Sequence, residues 1–138
     1  MTPPEKVVEG LDWESAGRRV DGHPHSIYQI LRHMLSWAWW ALEGMRGGEF
    51  QRTKAEEEGN FFPPDPKPAS PQAWEETVRS FQAFLKEAKE FLPTSDPKGR
   101  HSDWEDSSVA STWVMIVAHN AYHLGAIVTL RRILGLWG

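Results

Sequence analysis

Three stretches of the chain repeat apolar residues at helical spacing, and each is bounded by residues that start and stop helices. In the first, Ser26 stands three residues before Gln29, the spacing of a capping box in which each side chain satisfies the other's free backbone donor. Ile27, Ile30, Leu31, Met34, Ala38, Ala41, Leu42 and Met45 follow on one face until Arg46-Gly47-Gly48 ends the run, which predicts a long helix over 26–46. Ser70-Pro71 then supplies a cap with proline at the first helical position, and Trp74, Val78, Phe81, Leu85, Ala88 and Leu92 share a face until Pro93. Asp106, Ser107 or Ser108 can cap the third helix, where Val109, Trp113, Ile116, Asn120, His123, Ile127, Leu130 and Leu134 share a face until Gly135. No run of alternating β-branched residues competes with these stripes, so the expected fold is all-α.

The connections are expected to be irregular. Residues 4–10 predict a short helix ending at Gly10, Asp12 a cap for Trp13-Glu14-Ser15-Ala16, and Val20 to Pro24 a turn. Residues 47–70 are polar but contain Phe61-Phe62-Pro63-Pro64-Asp65-Pro66-Lys67-Pro68. A loop this long in a compact domain is functional or disordered, and paired phenylalanines favour one that docks. Its prolines make it semi-rigid. Residues 93–107 read as a second loop. No repeat or boundary divides the 138 residues, so a single domain over 1–138 is expected.

Composition excludes several functions. The net charge of −4 argues against a nucleic-acid or anionic-membrane surface, since both need a concentrated positive field. The absence of cysteine rules out disulfides, thiolate metal sites and a cysteine nucleophile. No apolar run reads as a membrane span and the first residues lack the pattern of a signal peptide, so a cytoplasmic location is expected.

The histidines carry the chemistry. His119 and His123 are four apart, one turn from each other on the buried side of the last helix, among Thr112, Ile116, Ala126, Ile127 and Leu130. Imidazoles among apolar groups must be satisfied, either by carbonyls and water or by a divalent metal such as zinc, nickel, copper or iron. His33, in register with Ile30, Trp37 and Trp40, lies at the margin of the first long stripe and offers a third imidazole. Three protein ligands leave open positions, the arrangement of a reactive rather than a closed metal. His23, His25 and His101 read as capping or solvated side chains, with His25 the best placed of the three for a metal role. Trp37 and Trp40, four and seven residues after His33, have the register to wall a pocket or simply to fill the core, and Ser36 and Gln29 lie on adjoining positions.

His25-Ser26-Ile27-Tyr28-Gln29-Ile30-Leu31-Arg32-His33-Met34-Leu35-Ser36-Trp37 resembles the second helix of the DinB-like superfamily. His119-Asn120-Ala121-Tyr122-His123-Leu124-Gly125-Ala126-Ile127 resembles its last-helix motif, continued by Leu130-Arg131-Arg132. The resemblance runs from about Val7 to Leu134. It implies an antiparallel four-helix bundle, commonly a homodimer, whose divalent metal (zinc, nickel or iron) is held by His33, His119 and His123. It also implies a small-molecule substrate and thiol S-transferase or related detoxification chemistry with a low-molecular-weight thiol such as bacillithiol, glutathione or mycothiol.

Two positions depart from the family pattern. The residues before Val7 make only a shortened N-terminal helix, so one wall of the bundle is expected from a partner helix or from the N-terminal segment itself. Ala126 replaces a common glutamine, removing a polar group near His123. Water activation for hydrolysis is an alternative chemistry, disfavoured because no Glu lies within His119 to His123 to act as base. A non-catalytic helical binding or regulatory module with a structural metal is the other alternative. Gln29, Ser36, Trp37 and Trp40 are the candidate substrate-binding residues. Arg131 and Arg132 read as charges at a helix C-terminus, Trp74 and Trp113 as core, and Trp39, off the stripe, as a dimer contact.

Overall fold

The structure, a computed structural model, describes residues 1–137. Among them are five α-helices: α1 (Trp13–Ala16), α2 (Ile27–Met45), α3 (Lys54–Glu57), α4 (Pro71–Phe91) and α5 (Val109–Ile133). Short 3-10 turns form at Pro4–Lys6 and Leu92–Thr94, and an isolated bridge joins Arg100 to Ser108. The all-α expectation holds.

The helix starts follow from the capping chemistry. Ser26 Oγ accepts the Gln29 N–H at 3.2 Å and Gln29 Oε1 accepts the Ser26 N–H at 3.0 Å, so the box at α2 is closed from both sides. Ser70 caps α4, with Pro71 at the first position. Of the three possible caps for α5, Ser108 is the one used, paired with Ser111. α3 is a single turn inside the 47–70 connection, capped by Thr53, and polar periodicity gave no signal for it.

α2 is the central helix, packing against both α4 and α5. The core fills the two seams with Leu31, Met34, Leu42, Phe81, Ile116 and Ile127, each at most 1% exposed. Burial of such side chains stabilises the fold by about 1.5–3 kcal/mol apiece. Three long helices are present among the described residues rather than four. Where a fourth would lie, α4 and α5 flank an apolar groove of about 280 Å³ floored by Phe81, Phe84, Leu85, Ile116 and Leu124, with Pro4 at its edge.

The N-terminal segment reaches this groove but does not fill it. It is held by Arg131, whose Nη1 donates to the carbonyls of Val7 (2.8 Å) and Glu9 (2.9 Å) and whose Nη2 donates to that of Leu136 (3.0 Å). The guanidinium also lies over Trp137, 4.4 Å from the ring centroid. Arg131 is thus the C-terminal charge of α5 that its position suggested, and in addition a buried clamp on the N-terminal segment. Trp39 is also placed differently from its expectation: its indole N–H donates to Ser80 Oγ at 2.9 Å and its ring meets Phe84 edge-on, so it joins α2 to α4 within the chain.

α5 differs from the other long helices in being apolar on nearly all sides, with no Asp, Glu, Lys or Arg from Val109 to Leu130. By length and composition alone it is long and apolar enough to cross a membrane, although His119, Asn120 and His123 interrupt its apolar run. In the fold its inner side packs on α2, while Val114 and Val117 stay 72% and 60% exposed.

Candidate metal centre

The two facing seams of α2 and α5 bring together the three histidines that spacing selected. His119 Nε2 lies 3.1 Å from His123 Nε2 and 3.3 Å from His33 Nε2, and the three ligand atoms all lie within 4.8 Å of one another. His119 and His123 come from consecutive turns of α5, and His33 reaches them from α2 across 86 residues of chain. Two nitrogens bound to one tetrahedral metal at roughly 2.0–2.1 Å are separated by about 3.3 Å, and a tighter angle brings them slightly closer. The 3.1 and 3.3 Å separations around His119 fit that donor set.

Protonation gives the same answer. His33 is held at a pKa of about 4, first by burial and then by repulsion from His123 and His119. His123 is also pushed down to about 4, by burial and then by His119 and His25. Burial lowers His119 as well, opposed by the Asn120 side chain. All three are therefore neutral at pH 7 and present nitrogen lone pairs, which metal coordination requires. His33 Nδ1, His119 Nδ1 and Asn120 Oδ1 are buried, with the Phe61 backbone beside the first imidazole and the Asn120 side chain beside the second. No carboxylate joins the cluster among the described residues, so a divalent ion there would keep its full charge.

The aromatic residues after His33 build the adjoining wall. Trp37 stacks on Trp40 (5.3 Å) and packs against Phe61 (4.5 Å), and its ring lies 6.4 Å from that of His119. Trp40 turns further away: its indole N–H donates to Asp103 at 2.8 Å, and Arg52 lies over its ring. Of the two, Trp37 is the one beside the centre. Ser36 Oγ donates to the Arg32 carbonyl one turn back (3.2 Å) and, with Tyr28, Arg32, Phe61 and Phe62, lines a pocket of about 210 Å³. The Gln29 amide is engaged at both ends inside the protein, with the Ser26 N–H and with the Pro63 carbonyl.

His25 and Phe62 are the neighbours of the centre that helical periodicity could not select. Phe62 stacks on His33 with centroids 3.9 Å apart, and His25 stacks on Phe62 at 3.8 Å. The signal available was the Phe61-Phe62 pair in an otherwise polar loop, which pointed to docking but not to the surface it docks on.

Of the two roles open to His101, capping or solvated, the structure shows the first: the ring is 3% exposed. Its Nδ1 accepts the backbone N–H groups of Asp103 and Trp104, both at 3.1 Å, so the proton is on Nε2, 3.2 Å from the Trp40 carbonyl. Its ring lies parallel to Trp104 at 4.0 Å. A Cβ built on Gly44 would fall 1.9 Å from His101 Cε1, so glycine near the end of α2 makes room for this ring. That glycine inside a helix was the clue in the sequence.

Neutral imidazoles converging between two long helices define a helical protein with a candidate three-histidine metal centre. The family model of the DinB superfamily matches residues 5–127, and the chain belongs to that superfamily. Comparison with curated proteins returned no match, and comparison with solved structures returned none.

Proposed function

We propose that this protein is a metal-dependent enzyme that joins a low-molecular-weight thiol to a small electrophile, with zinc, nickel or iron held by His33, His119 and His123. The observation that supports it is the convergence of three neutral imidazole nitrogens with no carboxylate among them. A divalent metal on such a set supplies uncompensated positive charge, which favours the thiolate form of a coordinated thiol. The protein's own residues supply the surroundings. Trp37 offers an aromatic wall beside His119, and Phe62 covers one face of His33. The acidic chain disfavours nucleic acid as substrate.

The test is metal analysis of protein purified without chelator, followed by turnover of a thiol with a haloaromatic electrophile, for the wild type and for a His33, His119 and His123 triple alanine variant. One bound metal per chain and thiol-dependent turnover, both lost in the triple variant, are expected. A wild type that holds no metal and cannot be reconstituted sinks the proposal. Metal without turnover, together with unfolding on chelation, would favour a structural metal in a binding module.

The same proposal includes a homodimer formed through α5. Val117 lines the groove against α4 and Val114 is exposed three residues before it, and a helix uncharged from Val109 to Leu130 is matched best by a second copy of itself. Light scattering at micromolar concentration should give the mass of two chains, and Val117→Glu should halve it. A one-chain mass for the wild type would refute the dimer and leave the metal chemistry standing.

A further inference from the structure

The connection between α2 and α4 does more than link them, because one of its rings is inserted next to a metal ligand. Phe62 lies parallel to His33 within 3° and parallel to His25 within 7°, at centroid distances of 3.9 and 3.8 Å. Two rings cannot occupy the same face of a third at that spacing, so Phe62 is sandwiched between the imidazoles. A flat ring pressed on His33 restricts rotation of the imidazole about its Cβ–Cγ bond, the motion that would swing Nε2 away from His119. Burial against a non-polar plane does this without competing for the nitrogen.

The insertion has its own anchor. Gln29 Nε2 donates to the carbonyl of Pro63, the residue after Phe62, at 2.7 Å. Ser26 Oγ donates to the Pro66 carbonyl at 2.5 Å. Both side chains are also the two halves of the α2 capping box, so the helix start and the loop are fixed by the same pair of residues. Pro63, Pro64, Pro66 and Pro68 limit the conformations from which this stretch must be ordered.

We infer that Phe62 is a positioning residue of the metal centre: it holds the plane of the His33 imidazole so that Nε2 stays in the convergence, and Gln29 holds Phe62 in place. The inference rests on metal binding by the three histidines and is independent of the thiol chemistry.

The probe is Co²⁺, whose visible absorption reports ligand geometry, titrated into the metal-free protein. Phe62→Leu keeps an apolar anchor but loses the flat face, Phe62→Tyr keeps the face, and Gln29→Glu keeps the cap acceptor but loses the donor to Pro63. Residues that orient metal ligands typically change affinity by about 10–100-fold. Phe62→Leu should weaken Co²⁺ binding about tenfold and alter the spectrum while the metal-free melting temperature moves little. Phe62→Tyr should stay within about twofold of the wild type, and Gln29→Glu should fall between them. Wild-type Co²⁺ affinity and spectrum in Phe62→Leu would overturn the inference alone, as would an equal loss in Phe62→Tyr. A wild type that takes up no Co²⁺ would overturn the metal reading as well. If Phe62→Leu does not fold, Gln29→Glu decides: weakened binding supports the role and unchanged binding overturns it.

Discussion

His101 and the His33, His119, His123 cluster are two histidine sites attached to the same helix, and they differ in where their nitrogens are directed. Both His101 nitrogens face backbone groups, two N–H donors on one side and the Trp40 carbonyl on the other. In the cluster the Nε2 atoms face one another instead, at 3.1 and 3.3 Å. Neutral imidazole lone pairs directed at one another are compensated only by a shared proton or by a cation between them. Burial alone does not make a histidine a ligand; what separates the two sites is whether the protein itself completes the hydrogen bonding.

The sharpest test of this contrast is the metal itself. His119→Ala, which removes the middle of the three nitrogens, should weaken metal binding by about 10³-fold or more, roughly 4 kcal/mol, whereas His101→Ala should leave both affinity and stoichiometry unchanged. Isothermal titration separates the two. Equal losses in both variants would mean that His101 and the three-histidine centre are one unit.

Stability should respond in the opposite sense. Gly44→Ala places a methyl group inside the His101 ring position and should destabilise the metal-free protein by about 3 kcal/mol, near the upper end for overpacking. His101→Ala should cost about 2 kcal/mol by removing a buried ring and leaving the part-buried N–H groups of Asp103 and Trp104 without their acceptor. His33→Leu, in the same metal-free state, should be within about 1 kcal/mol of the wild type. Urea unfolding in the presence of chelator gives all three values, and a His33→Leu loss matching that of His101→Ala would break the distinction.

Acid gives a third comparison. Burial is the first cause of the lowered pKa at His33, His119, His123, His25 and His101 alike. As pH falls below about 6.5 the unfolded chain takes up protons before the folded one does, so folded stability is complete above that pH and declines towards pH 4. Replacing the three cluster residues by asparagine should flatten most of this decline in metal-free protein, because three sites and their mutual repulsion disappear together. A melting temperature that still falls as steeply from pH 6.5 to 4 would assign the acid sensitivity to His101 and His25.

The smallest expected effect lies on α5. A Cβ on Gly125 meets nothing within 4 Å, so Gly125→Ala should stabilise the chain by about 0.5–1 kcal/mol through helix propensity, the reverse of Gly44→Ala. Two glycines in two long helices would then differ in sign for a reason visible only in what each one faces.

Much of this was legible beforehand. Ser26, Gln29, Ser70 and Pro71 marked helix starts because capping is local chemistry, and the i, i+4 pair on α5 with His33 on α2 followed from helical register. The roles of His101, Phe62 and Arg131 were not legible. Each partners a backbone group or ring far along the chain: Trp40 for His101, His33 for Phe62, Val7 for Arg131. Periodicity says which face of a helix turns inward but not which loop lies over it. A wall left to a partner helix or to the N-terminal segment was expected, and the described residues place an open groove there, with Pro4 at its edge.

The central position of α2 has a consequence for how this chain can vary. Eleven of its nineteen residues are buried, against six of twenty-five in α5 and five of twenty-one in α4. The same helix carries the double-purpose cap, a candidate ligand, the aromatic wall and the glycine that seats His101. A saturation screen of single substitutions should therefore find α2 intolerant around nearly its whole circumference, with α4 accepting change along its outer side. Sequence drift in this protein would be channelled away from one helix, and relatives that diverge widely should still share the side-chain sizes of α2.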